Sequence, residues 1–279
     1  MSDSTLRRAT LPNGLAVAYQ VKAELRQFYE DIFERQVYLR GGITLAPDAV
    51  VFDVGANIGL FSLFVGQVCP GAHVFAFEPA PPLAEILAAN AAIAACTVTL
   101  CPYGLGARSG SASFTFYPHS SGLSSFYPDP TAEAAALRRL IANQLERGGR
   151  PGIETLRGYE DELVRERLRG ETLSCAIRTL SEVVREHAVS RIDLLKVDVE
   201  KSEADVLQGI SPADWPKIFQ VVVEVHDVAD RLRILQEQFQ ARGFVVSVEQ
   251  EDLYRGSDRY NLYARRIPYS GPGSTVSSR

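Results

Sequence analysis

Short apolar runs alternate with amphipathic segments along most of the chain. The runs have the length of buried strands, and between them apolar residues recur every three to four positions, which is the period of a helix. This pattern predicts strands at residues 15–21, 50–54, 73–77, 97–101, 112–117, 192–198, 219–225, 244–249 and 260–265, and helices at residues 23–40, 58–68, 81–95, 203–208 and 228–242. Such alternation predicts an α/β fold with a mostly parallel sheet covered on both faces. A polar turn separates the last two strands, which predicts a hairpin with one antiparallel edge strand.

One segment interrupts this alternation. Residues 129–171 follow the strand predicted at 112–117, and their apolar stripes indicate two helices, the first starting at Asp129-Pro130 and the second over residues 159–169. We interpret the segment as a helical cap inserted into a sheet domain of residues 49–266. A strand and a lid helix in residues 1–48 precede that domain, and the Ser/Gly/Pro-rich residues 267–279 predict a flexible tail.

Composition narrows the class of protein. The chain has 279 residues, of which 46% are hydrophobic and 23% charged, as in ordinary globular domains. A formal net charge of −5 argues against nucleic acid or an anionic membrane as the partner. No secretory signal and no apolar run long enough to span a membrane is recognisable. The four cysteines form no C-x-x-C pair, so we expect reduced thiols and a cytoplasmic protein.

A glycine-containing turn follows the strand at residues 50–54. Residues 51–59 read V-F-D-V-G-A-N-I-G, so that Asp53 ends the strand and Gly55 and Gly59 bracket the start of a helix. Glycine permits a tight turn and a close approach of the backbone to a ligand, and the helix N-terminus offers free N–H groups. The turn therefore predicts a ligand site at the carboxyl ends of the parallel strands.

The spacing of this turn selects among nucleotide ligands. A dinucleotide site needs G-x-G-x-x-G, whereas Asn57 occupies the place of the middle glycine here. Asp53 adds a negative charge that suits a sulfonium or ammonium group better than a pyrophosphate. Glu78 ends the next predicted strand, 23 residues after Gly55, where an acid binds both hydroxyls of a ribose. Together these features indicate S-adenosylmethionine.

The chain resembles the FkbM-type S-adenosylmethionine-dependent methyltransferases. The resemblance lies in F-D-V-G-A-N-I-G, F-A-F-E-P and L-L-K-V-D-V-E followed by V-L-x-G, and it extends over roughly residues 45–265. It implies a Rossmann-like sheet of seven strands with one antiparallel strand, and methylation of a hydroxyl oxygen. The chain departs from the pattern at Lys201, where glycine is usual; this lysine is expected to reshape the substrate mouth or to pair with Glu203.

The resemblance and the motif chemistry together predict one set of cofactor-binding residues. The turn at residues 103–106 resembles the loop that contacts the adenine, and it contributes one member of the set. The set is Asp53, Gly55, Ala56, Asn57, Gly59, Glu78, Leu105 and Asp198.

Transfer of a methyl group to a hydroxyl needs a general base, most often histidine. His226 ends the strand at 219–225, at the carboxyl edge where the cofactor is expected, and we predict that it is the base. Glu200 or Glu224 is predicted to hold its tautomer. In a rival interpretation the hard oxygen ligands Asp198, Glu200, Glu224 and Asp227 bind Mg²⁺ and acidify a sugar hydroxyl.

The apolar stripes of the two lid segments predict a largely apolar acceptor. The family resemblance implies polyketide and sugar hydroxyls as acceptor classes, and of these a polyketide hydroxyl, free or bound to a carrier protein, is the first choice and a sugar hydroxyl the second. Two other functions stay open from the sequence: an NAD-dependent oxidoreductase that uses the same turn, and a non-catalytic binding domain.

Overall fold

The computed structural model describes residues 6–147 and 158–266. Its strands are β1 (Arg8–Thr10), β2 (Ala16–Ala18), β3 (Val50–Val54), β4 (His73–Phe77), β5 (Thr97–Cys101), β6 (Gly104–Leu105), β7 (Gly110–Phe116), β8 (Glu171–Arg178), β9 (Leu194–Val197), β10 (Gln220–His226), β11 (Phe244–Glu249) and β12 (Arg259–Arg266). Its α-helices are α1 (Lys22–Tyr29), α2 (Leu60–Val68), α3 (Pro81–Ala91), α4 (Pro130–Arg147), α5 (Glu160–Arg167), α6 (Leu180–Glu186), α7 (Glu203–Gln208) and α8 (Arg231–Ala241).

A seven-stranded sheet forms the centre of the fold, in the order β11-β12-β10-β9-β3-β4-β5. The pairs β10–β9, β9–β3, β3–β4 and β4–β5 are parallel, and β12 runs antiparallel to both of its neighbours. Its inner strands are apolar because helices cover both faces. The α/β fold with one antiparallel strand is thereby confirmed.

The position of the antiparallel strand differs from the prediction. β12 lies inside the sheet between β10 and β11, and β11 is the edge strand. Burial gives the reason: Leu262, Tyr263 and Ala264 of β12 are at most 1% exposed, whereas Val245 of β11 is 41% exposed. The hairpin was predicted correctly, but the strand placed at the edge was wrong.

The strand predicted at residues 112–117 does not belong to the central sheet. As β7 it pairs antiparallel with β8 over residues 110–116, and β6 pairs with the other side of β8. In the sequence G-S-A-S-F-T-F the buried positions are Phe114 and Phe116, two residues apart, which is typical of a strand with one solvent-exposed face. Strand β8 and helix α6 are absent from the predicted list; Thr179 and Glu182 start α6 with a capping box.

The N-terminal lid is a broken helix rather than one helix over residues 23–40. Helix α1 continues into a π-helical turn over Glu30–Glu34 and then a 3₁₀ turn over Val37–Leu39. Gln36 lies between them with φ of 49°, a left-handed conformation that ends a right-handed helix. This break turns Tyr38 toward the carboxyl edge of the sheet, where its hydroxyl reaches Asp198.

The cap has its own small core. Leu137 and Ile141 of α4 pack with Val164 of α5, and all three are buried. Both predicted cap helices are therefore present, as α4 and α5. The predicted tail at residues 267–279 lies outside the described residues. None of the helices in the described ranges is both long and apolar enough to cross a membrane.

Candidate active site

A cavity of about 280 Å³ lies at the carboxyl ends of β3, β4, β9 and β10. The loops after β3, β4 and β9 form one side of its wall, and α1, α4 and the start of β12 contribute to the other. This is the edge at which open α/β sheets bind their ligands. The cavity therefore lies where the glycine turn predicted a ligand site.

The glycine turn is shaped by contacts with its own protein. Gly55 has φ of 79°, and a Cβ atom there would lie 1.8 Å from the carbonyl oxygen of Asp198, so only glycine fits. Asn57 is also left-handed, with φ of 50°. Its side-chain Oδ1 accepts a hydrogen bond from the Ile58 N–H at 2.8 Å, and its Nδ2 donates to Ser121 Oγ at 3.3 Å.

Glu78 faces the same turn. Its two carboxylate oxygens accept hydrogen bonds from the backbone N–H groups of Asn57 at 3.0 Å and Ala80 at 2.9 Å. Burial raises the pKa of Glu78 to about 7, although these two bonds favour the charged form and oppose the rise. Each oxygen keeps a second lone pair for a ligand hydroxyl. We call the glycine turn at residues 55–59 together with Glu78 the cofactor end of the cavity.

Asp53 does not face the cavity as predicted. Its carboxylate is fully buried, where it accepts a hydrogen bond from Ser62 Oγ at 2.8 Å and lies 3.0 Å from Lys196 Nζ. Lys196 also donates to the Gly55 carbonyl oxygen at 2.8 Å. Asp53 is therefore already paired, and it acts on the turn through Lys196 rather than through a ligand.

Six of the eight predicted cofactor residues line the cavity: Gly55, Ala56, Asn57, Glu78, Leu105 and Asp198. Gly59 lies behind the wall like Asp53. Gly59 has φ of 84° at the start of α2, and a Cβ atom there would lie 2.6 Å from Leu87 Cδ1. It serves close packing between α2 and α3, and its predicted contact with the cofactor stays a prediction.

His226 lies at the centre of a buried group of charges at the other end of the cavity. Its Nε2 is 3.1 Å from Glu200 Oε2, and its Nδ1 is 3.1 Å from Glu203 Oε1. Arg259 pairs with Glu200 and, through Nε at 3.1 Å, with Glu224 Oε1. We call Glu200, Glu203, Glu224, His226 and Arg259 the acid–base cluster.

The two carboxylates on His226 favour its charged form. Burial alone lowers the pKa of His226, but the Glu200 charge and the hydrogen bonds to Glu200 and Glu203 raise it to about 10. Burial likewise opposes ionisation of Glu200, yet Arg259 and His226 lower its pKa to about 2. His226 therefore carries its proton at neutral pH. Of the two alternatives predicted as its partner, Glu200 contacts the ring, and Glu203, which was not predicted, contacts the other ring nitrogen.

Only some of the residues of the alternative Mg²⁺ site lie close to one another. Ligand atoms of Glu200, Glu224 and His226 lie within 4.8 Å of one another, but the guanidinium of Arg259 pairs with both carboxylates. Asp227 Oδ1 accepts a hydrogen bond from the Leu232 N–H instead. Because an arginine supplies the positive charge of this cluster, the arrangement does not favour the metal alternative.

Asp198 connects the two ends of the cavity. Its Oδ2 accepts a hydrogen bond from the Tyr38 hydroxyl at 2.6 Å and lies 3.9 Å from Lys196 Nζ. Its side chain is 21% exposed and lines the cavity. An acidic oxygen at this place can accept a hydrogen bond from an ammonium group.

Lys201, where the FkbM pattern has glycine, has φ of 75°, a conformation that glycine adopts without strain. Its backbone N–H donates to Glu203 Oε1 at 2.8 Å, but its Nζ pairs with Glu133 of α4 at 3.0 Å. The predicted ammonium pairing with Glu203 is therefore wrong. Lys201 instead joins the loop after β9 to the cap, and both Lys201 and Glu133 line the cavity.

The N-terminal lid is attached to the loop before α4. Glu24 of α1 accepts hydrogen bonds from Ser121 N–H at 3.0 Å, Ser121 Oγ at 2.8 Å and Gly122 N–H at 3.2 Å. Aromatic and aliphatic side chains lie between these segments. Those that line the cavity are Phe28, Phe61, Phe114, Phe126, Leu137 and Leu140. The part of the cavity between the N-terminal lid and the cap is therefore apolar, which agrees with the apolar stripes of these segments.

Several residues of the site were missed from the sequence. Lys196 could have been predicted, because a single charged residue inside the buried strand L-L-K-V needs a partner of opposite charge. Tyr38, Glu133 and Arg259 could not, since their place in the site depends on the broken lid helix, the cap and the internal position of β12.

Comparison with known proteins agrees with this geometry. Residues 53–246 match the family described as "Methyltransferase FkbM domain". The 31-O-demethyl-FK506 methyltransferase FkbM of Streptomyces tacrolimicus is 40% identical over 268 residues, which are 95% of this chain and 99% of that protein. The AMB antimetabolite synthetase AmbE of Pseudomonas aeruginosa is 41% identical over 276 residues. These are 96% of this chain, which spans only 13% of the synthetase.

A solved structure supports the fold. The crystal structure of methyltransferase FkbM from Methylobacillus flagellatus matches with a TM-score of 0.50 and 13% identity, over 81% of this chain and 46% of that chain. The extent of the family match and the identity to FkbM lead to one conclusion: the chain belongs to the FkbM methyltransferase family.

Proposed function

We propose that the protein is an S-adenosylmethionine-dependent O-methyltransferase that methylates a hydroxyl group of a small natural product, namely a polyketide that is either free or bound to a carrier protein. The observation that carries the proposal is Glu78: it is a buried carboxylate that lines the same cavity as the glycine turn and the cluster of acidic and basic side chains at the opposite end.

The cofactor end fits a methylated nucleoside. Glu78 can accept hydrogen bonds from both hydroxyls of a ribose, and Leu105 lines the same cavity and offers an apolar contact for the adenine. Asp198 is suited to the amino group of the methionine part. When bound, S-adenosylmethionine supplies a methyl group that its sulfonium has already activated. The remaining work of the protein is to bind the acceptor, exclude water and remove a proton.

The cavity also combines apolar side chains of the lid and cap with the acid–base cluster. The apolar side chains suit a hydrocarbon-rich acceptor, and the buried carboxylates can receive the hydroxyl proton. The similarity to a methyltransferase that acts on 31-O-demethyl-FK506 supports a natural-product acceptor. The similarity to a segment of a much longer synthetase supports an acceptor that another domain presents. The free cysteines agree with a place in the reducing cytoplasm.

The identity of the proton acceptor within the cluster is a separate question. His226 was predicted to be the base, and that role stays a prediction. Its contacts favour a different role, because an imidazole that is already protonated at neutral pH cannot accept the proton of the acceptor hydroxyl.

Binding and transfer can be tested in sequence. Isothermal titration should show that S-adenosylhomocysteine binds and NAD does not. Incubation with S-adenosylmethionine and a panel of acceptors should then give a product 14 mass units heavier, as one methyl replaces one hydrogen. The panel contains free 3-hydroxybutyrate, its N-acetylcysteamine thioester as a mimic of a carrier-bound acyl group, a macrolide with free hydroxyls, and methyl glucoside. Failure to bind S-adenosylhomocysteine would overturn the proposal, and methylation of the glucoside alone would overturn the choice of polyketide.

A further inference from the structure

We propose that Glu224 is the residue that removes the proton from the acceptor hydroxyl, and that Arg259 and the Glu200–His226 pair position it. This assignment rests on the proposed methyl transfer to oxygen and specifies which member of the acid–base cluster touches the reacting atoms.

The contacts of the neighbouring groups exclude them one by one. Glu200 has one oxygen on His226 and the other on Arg259. Glu203 is fully buried, with one oxygen on His226 and the other on Arg231 at 2.8 Å. His226 has a carboxylate on each ring nitrogen. Each oxygen of Glu200 and Glu203 and each ring nitrogen of His226 therefore already faces a charged partner, so we assign these three groups a structural role.

Glu224 differs from them in having a free oxygen. Arg259 Nε reaches only Oε1, at 3.1 Å, and within residues 6–147 and 158–266 no hydrogen bond to Oε2 is found. Its side chain is 12% exposed and lines the cavity. A carboxylate that is held on one side and open to the acceptor space on the other has the geometry of a general base.

The surroundings of Glu224 also suit the transfer of a proton near neutral pH. Burial raises the pKa of Glu224 to about 8; Arg259 opposes this rise, and the charges of Asp198 and Glu200 add to it. A base with a pKa near the working pH is both available and strong enough to accept a proton. The other charged or titratable groups that interact with Glu224 are His226, Lys196, Tyr38 and Tyr254.

The reaction balances with these groups. The acceptor O–H bond breaks and its proton passes to Glu224, while the oxygen forms a bond to the methyl carbon. The bond between that carbon and the sulfonium sulfur breaks, so the sulfonium becomes a neutral thioether. The protonated Glu224 then releases its proton to solvent, and one alcohol has become one methyl ether.

The test compares E224Q, E224D and H226Q with the unaltered protein. The acceptor is whichever panel compound the protein methylates, and S-adenosylhomocysteine is the probe of cofactor binding. We expect E224Q to lower kcat by roughly 10²–10⁴-fold, the usual effect of losing a general base, with affinity for S-adenosylhomocysteine unchanged within about twofold. E224D should recover part of the loss. The exposed Glu237 gives the matched control E237Q, which should keep full activity.

The pH profile separates a base from a structural residue. For the unaltered protein kcat should fall tenfold per pH unit below a pKa near 8, and this limb should be absent in E224Q. If E224Q keeps its rate within about threefold while H226Q loses it, and both variants bind S-adenosylhomocysteine, His226 is the base and the assignment is overturned.

A titration without acceptor keeps this result separate from the proposed function. Infrared difference spectra of the unaltered protein between pH 6 and pH 9.5 should show two buried protonated carboxyl bands: one from Glu78, which disappears through pH 7, and one that disappears through pH 8 and is missing in E224Q. If no panel compound is methylated, the proposed function is in doubt, and the band that is lost through pH 8 still decides the protonation of Glu224. The absence of this second band from the unaltered protein at pH 6 would overturn the assignment by itself.

Discussion

The cofactor end and the acid–base cluster occupy the same cavity but are built in different ways. The cofactor end consists largely of backbone: left-handed residues at Gly55 and Asn57, and peptide N–H groups that hold Glu78. The acid–base cluster consists of ionised side chains, three carboxylates held by His226 and Arg259. Backbone geometry tolerates changes of charge and pH but not of shape, so at the cofactor end pH acts only through the side chain of Glu78. A charge network tolerates small changes of shape but not the loss of one charge.

The largest effect is expected from removing the arginine of the cluster. Arg259→Met leaves Glu200 and Glu224 buried without their shared cation, which is expected to destabilise the protein by about 3–5 kcal/mol. The loss should be smaller at pH 6 than at pH 9, because Glu224, whose pKa is raised to about 8, is protonated at the lower pH. Urea denaturation at both pH values measures this. Arg233→Met, which removes an exposed ion pair, is the control and should change stability by less than about 0.5 kcal/mol. An equal loss of stability in the two variants would contradict the view that the acid–base cluster depends on each of its charges.

A change of shape should be the way to break the cofactor end. Gly55→Ala adds a methyl group to a residue with φ of 79° and only 1.8 Å from the Asp198 carbonyl oxygen. We expect a loss of about 3 kcal/mol of stability from strain and overpacking, together with the loss of S-adenosylhomocysteine binding. Gly110→Ala is the matched control, since no atom lies within 4 Å of the added carbon. Thermal denaturation compares the two, and a G55A protein as stable as G110A would show that the turn can move.

The pH dependence of cofactor binding should identify the one titrating group of the cofactor end. The pKa of Glu78 is raised to about 7, and the ribose hydroxyls need its charged form as the acceptor. Affinity for S-adenosylhomocysteine should therefore be greatest above pH 7 and fall toward tenfold for each pH unit below it. Isothermal titration between pH 5.5 and 8.5 measures the slope. E78Q should bind weakly at every pH, so a slope that persists in this variant would assign the titration to another residue.

The smallest effect concerns the strain at Lys201. Lys201→Gly and Lys201→Ala both remove the ion pair with Glu133, but only glycine relaxes at φ of 75°. The glycine variant should be more stable than the alanine variant by about 1 kcal/mol, which chemical denaturation resolves. If the two variants were equally stable, the left-handed conformation of the loop would not survive loss of the ion pair.

The two ends of the cavity also differed in how well they could be predicted. Six of the eight predicted cofactor residues line the cavity, because a βαβ unit brings the ends of adjacent strands together at a fixed spacing. The other two, Asp53 and Gly59, do not line the cavity, because Asp53 pairs with Lys196 and Gly59 packs against α3. For the acid–base cluster the strand ends and one partner of His226, Glu200, were located correctly, whereas Glu203 and Arg259 were not predicted.

The sequence by itself determined the α/β class, the single antiparallel strand, the ligand turn and the presence of acidic groups and His226 at one sheet edge. These follow from local periodicity and from the short distances within consecutive elements. Only the tertiary structure decided that β12 lies inside the sheet, that Arg259 consequently joins Glu200 to Glu224, and that Glu203 rather than Glu224 contacts His226. Such contacts depend on the order of strands that are far apart in the chain. The same contacts leave Glu224 with a free oxygen and favour the protonated form of His226.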